Sequence, residues 1–382
     1  MIQSSFNKLF NTKKQRINPL PSNTIFFSKN ASTKINTVDG VRWINVGDAG
    51  SGKSWKNSIE LAQFKNVLFW DPTRKFYQTV LQQADIIEHT FNNIQEADKF
   101  RNRWKRYVLT PNQESDNEDE PFKMNVNDMN SRCLDSIFWK MEESDRSTKR
   151  RQALHSFLMR KHKNYDDWVE LCENVKGLTS TFNDLEWILS HDDNAPNLEE
   201  TVHGASIIDI SDISTNNCCV GVFMQSLFGS RKNLPDDYLF DPNHFVIMAL
   251  DEAQDYCTNN SPFGVAFSDI NKQARKFGIG EILTGSAYNS LQIDVRTKSN
   301  MQFIFKSKGM TNKYRNSNLD IMPDEWDLLP KWGCFIFNSD GEFAGPSNGD
   351  KYLPHLYYME EKIKNNVKEY LVEKSEVAFK LF

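Results

Sequence analysis

The sequence predicts an α/β fold: a mostly parallel sheet with helices on both faces and a helical insertion. Two observations predict it. Strand-length apolar runs alternate with helix-length amphipathic stretches, and one block of purely helical spacing interrupts that alternation. With 382 residues, 39% hydrophobic and 12% aromatic, the chain can build a real core, and a single enlarged domain accommodates the length.

Residues 1–40 read as a polar, basic arm broken by Pro19 and Pro21, with a short strand at TIFFSK (24–29). VRWINV (41–46) is an apolar run that feeds directly into VGDAGSGKSW (46–55), as a buried parallel strand feeds a loop. SWKNSIELAQF has helical spacing and NVLFWD (66–71) reads as the next buried strand, which completes a strand–loop–helix–strand unit. A helical stretch through KFRNRWKRY then leads to a strand at YVLT (107–110), and the acidic NQESDNEDEP reads as a solvated loop. The first part of the fold therefore spans 41–127.

Residues 128–202 form the expected helical insertion, through SIFWKMEES, RRQALHSFLMRKH, DDWVELCENV and FNDLEWILS. Its basic residues read as a solvated face, with DNA contact as the other reading. The strand pattern resumes over 203–345 with ASIIDIS, a helix at VGVFMQSLFG, the strand HFVIMALDEAQ (244–254), a helix through SDINKQARKFG, and the strands GEILTGSAYN and MQFIFKSK. KWGCFIFNSDGEFAGP reads as a hairpin turning near SDG, and 346–382 as a helical tail.

The net charge of -5 excludes a protein that is basic all over, but not one with a local basic strip for nucleic acid. The six cysteines form no CxxC pair and read as free thiols in a reducing compartment. No apolar run approaches the ~18 residues of a membrane span, and the N-terminus lacks the apolar core of a secretion signal. The expected location is a host cytoplasm, a virion, or both.

Gly47 to Ser54 reads G-D-A-G-S-G-K-S, the full G-x-x-x-x-G-K-[ST] pattern of a P-loop. Its glycines let successive backbone N–H groups turn inward around phosphate oxygens at a helix N-terminus. The nucleotide-binding set is therefore Gly47, Asp48, Ala49, Gly50, Ser51, Gly52, Lys53, Ser54 and Trp55, with Lys53 reaching the β- and γ-phosphates and Ser54 completing a Mg²⁺ shell. Such a loop needs an acidic partner on a neighbouring strand. HFVIMALDEAQ supplies Asp251 for the metal, and Glu252 to orient or deprotonate the attacking water. The cofactors expected are ATP and Mg²⁺, on a P-loop NTPase core of the RecA-like/ASCE class. The guanine-reading NKxD is absent, since NKQA at 271–274 lacks the Asp, and no histidine pairing implies another metal.

The order of these motifs is similar to the FtsK–HerA superfamily of hexameric DNA-translocating ATPases. NVGDAGSGKS, NVLFWDPTRKFY one helix later, ASIIDIS, HFVIMALDEAQ and ARKFGIGEILTGSAYNSLQIDVRTKSNMQFIFKSK carry the resemblance, over about 41–110 and 203–345. It implies that Arg275 acts as an arginine finger on a neighbouring subunit, with Arg296 the second candidate. Relatives usually end the penultimate strand in Thr-Gln, whose Gln senses the γ-phosphate. Ser286 stands at that position here, and Ser286, Thr284 and Asn289 are the candidates for the role. Arg231, Lys232 and the cluster at 149–151 are candidates for lining a DNA channel. The resemblance further implies double-stranded DNA and a homo-hexameric ring as partners, with a capsid vertex or viral membrane protein as docking site. Among family members a bare motor most resembles the genome-packaging ATPases of membrane-containing icosahedral viruses. A HerA-like repair or defence translocase or helicase, and a virion-assembly or extrusion ATPase, are the alternatives.

Overall fold

The computed structural model describes residues 40–91, 94–108, 120–138, 145–175, 178, 183, 185–192, 198–211, 218–257, 261–286, 288–305 and 334–338, and the backbone at 24–28, 31–34 and 343–346. The strands are β1 (Thr24–Ser28), β2 (Ala31–Lys34), β3 (Arg42–Val46), β4 (Asn66–Asp71), β5 (Trp104–Val108), β6 (Glu120–Pro121), β7 (Ala205–Asp209), β8 (Val246–Leu250), β9 (Ile279–Gly285), β10 (Met301–Phe305), β11 (Cys334–Asn338) and β12 (Phe343–Pro346). β1 and β2 pair with each other, and the rest form one ten-stranded sheet ordered β12-β11-β10-β3-β9-β8-β4-β7-β5-β6. Every pairing from β10 to β6 is parallel, and the β11–β12 hairpin adds to β10 antiparallel.

β4 and β8 are buried on both faces, and their near-continuous apolar sequences follow from that. On one face Trp43, Val67, Phe69, Ile247 and Phe303 pack under the helices α1 (Lys53–Leu61), α2 (Phe76–Phe91) and α3 (Ile94–Asn102). On the other, Leu68, Trp70, Met248 and Leu283 share one core with the helices of the 128–202 block, α4 (Cys133–Ile137), α5 (Asp145–Leu158), α6 (Tyr165–Asn174) and α7 (Leu198–Thr201). Four of the helices that follow, α8 (Cys218–Arg231), α10 (Ala253–Tyr256), α11 (Pro262–Gln273) and α12 (Ile293–Lys298), contribute to the same core. The remaining helix is α9 (Asp236–Leu239).

Two stretches differ from the sequence expectation. β5 begins at Trp104, inside the stretch read as helical. Its basic residues suggested a helix face, but they alternate as a strand does: Trp104 is buried against the Phe76 ring at 5.5 Å and Lys105 is exposed. FNDLEWILS becomes a turn over 186–188, and Leu189 then bridges to Met124 in parallel. The turn of the expected β11–β12 hairpin, the acidic loop at 112–119, the N-terminal arm over 1–23 and the tail beyond 346 lie outside the described residues.

Arg231, expected as a channel residue, is fully buried instead. Its guanidinium donates to the Phe277 carbonyl (2.7 Å), the His244 carbonyl (2.8 Å) and the Glu199 carboxylate (2.8 Å). It locks the end of α8 to the segments that enter β8 and β9, at the sheet edge opposite the P-loop. Lys232 is exposed. In the cluster at 149–151, Lys149 is exposed and Arg151 is paired with Asp135.

Beneath α1 lies a fully buried ion pair, Lys56 with Glu60. The Lys56 ammonium also donates to Asn45 Oδ1 (2.9 Å) and stands 3.2 Å from the Phe303 ring centroid. Breaking such a pair strands one charge in the core, whereas replacing both charges by apolar groups does not. Lys56→Met is expected to destabilise the chain by about 3–5 kcal/mol, and Lys56→Met with Glu60→Leu to recover most of the loss, in urea unfolding. A second test concerns Asp128, whose carboxyl is pushed up to about 6, chiefly by burial. Its folded value lies above its unfolded one, so the protein gains stability from this group as pH falls from about 6 towards 4. Asp128→Asn is therefore expected to be the more stable form at pH 7, by on the order of 1–3 kcal/mol, and to lose that advantage near pH 4.

Candidate active site

The parallel register brings the C-terminal ends of β3, β9, β8 and β4 level: Val46 pairs with Gly285, Leu250 with Leu283 and Trp70 with Leu250. Loops leaving this edge form the crevice where open α/β sheets bind ligands. β9 lies between β3 and the acidic strand β8, the interposed strand of the RecA-like/ASCE arrangement.

The P-loop leaves β3 and wraps into α1. Gly52, the N-cap of α1, has φ 97°, and Gly50 has φ 76°, both left-handed backbone that favours glycine. No side chain caps α1, so its first N–H groups remain available to an anion. At Gly47 a Cβ would stand 2.6 Å from Phe305 Cβ, so the strand can pass into the loop only without a side chain. The Ser51 hydroxyl is buried with no hydrogen-bond partner, a polar atom left over for a ligand. Asp48 is half-buried and Ala49 exposed at the loop tip. The indole of Trp55, one turn into α1, packs against the core under that helix.

The Lys53 ammonium donates to the Gly47 carbonyl and to the Asp48 carbonyl (2.9 Å), folded back over its own loop. Burial pulls its pKa below the ordinary lysine value, while Asp251, Glu252 and Asp48 oppose the shift. The Ser54 hydroxyl is 3.5 Å from Asp251 Oδ2. Asp251 is pushed up to about 6, first by burial and then by the charge of Glu252. Asp71, buried at the end of β4, accepts from the Phe76 N–H (2.9 Å) and from Thr73 (3.0 Å), so its visible work is to cap α2 and hold the DPTRKFY turn. Burial raises its pKa as well.

Asp251 and Asp71 thus stand at one edge with Glu252 beside them, burial disfavours the ionised form of Asp251 and of Asp71, and the Lys53 charge only partly opposes this at Asp251. A divalent cation beside Ser54 and Asp251 offsets that penalty, and the hard oxygen donors of this pair suit Mg²⁺. The loop, with its left-handed glycines, unspent helix N–H groups, lysine and orphan hydroxyl, suits a polyphosphate. Both cofactors fit the residues present.

Glu252 has φ 49°, a left-handed backbone unusual for a residue with a side chain and typical of functional turns. A second such residue, Arg74 (φ 59°), pairs with Asp209 at the same edge. Lys53, Ser54, Asp251, Glu252 and the exposed Ser286 therefore meet around one crevice. Thr284 does not join them, because its hydroxyl is buried and accepts from Asn57 Nδ2 (3.1 Å). Arg296 lies with its guanidinium 5.1 Å from the Tyr288 ring centroid of its own chain. Arg275 belongs to the 3-10 turn Ala274–Phe277, and its side chain, like that of Asn289, is outside the described residues. Sequence reasoning missed Gln254, which contacts both Glu252 and the end of β9. Its only signal was its place two residues after Glu252.

Comparisons with protein-family models and with curated proteins find no match. Solved structures do match. The bacterial conjugative coupling protein TrwB aligns over 89% of this chain and 89% of its own, at 13% identity and a TM-score of 0.51. A TrwB structure with ADP and Mg²⁺ aligns over 90% of this chain and 89% of its own, also at 13% identity and 0.51. VirB4 of Thermoanaerobacter pseudethanolicus aligns at 12% identity over 85% and 96%, with a TM-score of 0.49. The genome-packaging NTPase B204 of Sulfolobus turreted icosahedral virus 2 aligns at 10% identity over 81% and 96%, with a TM-score of 0.36. The chain shares the P-loop NTPase fold of the coupling protein.

Proposed function

We propose that the chain is an ATP-driven double-stranded DNA translocase that packages a viral genome into a preformed capsid. The observation that carries the reading is the apposition of Lys53 and Ser54 with Asp251 and Glu252 across one sheet edge, with Ser54 Oγ 3.5 Å from Asp251 Oδ2. The P-loop N–H groups and Lys53 bind the polyphosphate, and Ser54 and Asp251 hold Mg²⁺, which when bound neutralises phosphate charge. Glu252 orients water and accepts its proton. Arg275 acts from a neighbouring subunit of a homo-hexameric ring, whose channel grips the regular phosphate charge of the duplex without reading sequence. A capsid vertex or viral membrane protein anchors the ring. Among the described residues no helix is long and apolar enough to cross a membrane. The second reading is DNA transfer between cells, favoured by the fold shared with a conjugative coupling protein.

The test is the steady-state ATPase rate with and without long duplex DNA. DNA is expected to stimulate the wild type. Glu252→Gln is expected to lower kcat by about 10²–10⁴-fold with KM little changed. Lys53→Ala is expected to weaken nucleotide binding itself, read with a fluorescent ATP analogue. Hydrolysis that ignores DNA overturns the translocase and leaves an assembly ATPase. Arg275→Ala is expected to cost about 10³–10⁵-fold, and mixing it with Glu252→Gln subunits to restore part of the activity, because Arg275 of a Glu252→Gln subunit then completes the site of an Arg275→Ala neighbour. Loss without restoration removes the finger from the neighbouring subunit.

A further inference from the structure

We propose that Gln254 is a positioning residue that ties the Glu252 carboxylate to the end of β9. The inference rests on the reading of this edge as an ATPase site. The Gln254 amide donates from Nε2 to Glu252 Oε2 at 2.6 Å, and its Oε1 accepts from the Ser286 backbone N–H at 3.0 Å. A carboxylate only accepts and a backbone N–H only donates, so one orientation of the amide serves both partners. A longer contact from Nε2 runs to Asp255 Oδ2, 3.4 Å away.

Two further features fit this bridge. The left-handed backbone at Glu252 turns the chain sharply into α10, which brings the side chain two residues later back over Glu252. At Gly285, a Cβ would stand 3.0 Å from Gln254 Oε1 and 3.3 Å from Leu291 Cδ2, so the strand end leaves room for the amide. One Glu252 oxygen is thereby fixed and the other is left to face water. The same amide fixes the start of the segment that continues to α12, where Ile293 is 67% exposed.

Hydrogen–deuterium exchange across Ser286 in the nucleotide-free protein, together with ATPase kinetics, tests the tie. Gln254→Leu removes both links. It is expected to speed Ser286 exchange about tenfold and to lower kcat at least about tenfold, with KM within about threefold. Gln254→Glu keeps the acceptor and loses the donor, so it is expected to preserve Ser286 protection and still lower kcat. Gly285→Ala pushes on the amide from the other side and is expected to lower kcat as well. Equal Ser286 exchange in wild type and Gln254→Leu, or a Gln254→Glu kcat within about twofold of wild type, overturns the proposal. A wild type that does not hydrolyse ATP overturns instead the reading it rests on, and the exchange result still decides whether the tie exists.

Discussion

A P-loop works by leaving backbone donors unspent, and the rest of this edge is arranged around that requirement. Helix α1 starts without a side-chain cap at a left-handed Gly52, so its first N–H groups have no partner within the helix. The orphan Ser51 hydroxyl adds to a cluster whose satisfaction is deferred to a ligand, while Lys53 is held over the loop by the Gly47 and Asp48 carbonyls. Holding such a cluster open demands rigidity below it. The Lys56–Glu60 pair and Asn45 join the helix to β3, and Asn57 joins it to β9. Charges that are costly to bury thus fix the base of the loop in one orientation relative to the strands.

Much of this was legible in the sequence because the physics was local. The P-loop combines a fixed glycine spacing with an apolar strand before it and a helix after it. β4, β8 and β9 are apolar runs because both their faces are covered. What escaped is non-local. Arg231 looked like a surface cation, and only the fold shows that three carbonyl and carboxylate oxygens converge on it. The β5 boundary was hidden because Trp104 earns its burial from Phe76 on another element. Gln254 carried no pattern of its own; its importance is a relation between two strand ends that sequence does not align. Thr284 illustrates the same limit, since β9 is buried to its last residue and only Ser286, just beyond it, is exposed.

The two sheet edges are specialised differently. At the C-terminal ends, two residues with side chains, Glu252 and Arg74, hold left-handed backbone, and the buried Ser51 hydroxyl is left over for a ligand. At the opposite end Arg231 donates from all three of its nitrogens and binds α8 to the entries of β8 and β9. Among the described residues, left-handed backbone in residues with side chains is found only at the end that handles a ligand.

The far edge strand β6 is only two residues long, and its second is Pro121, which has no N–H to offer. Glu120, beside it, is exposed and charged. An edge strand this short, ending in proline, is a poor template for another strand, and just beyond it Met124 already pairs with Leu189 of the same chain. The long parallel sheet is guarded on that side against the cross-β aggregation that an open edge invites.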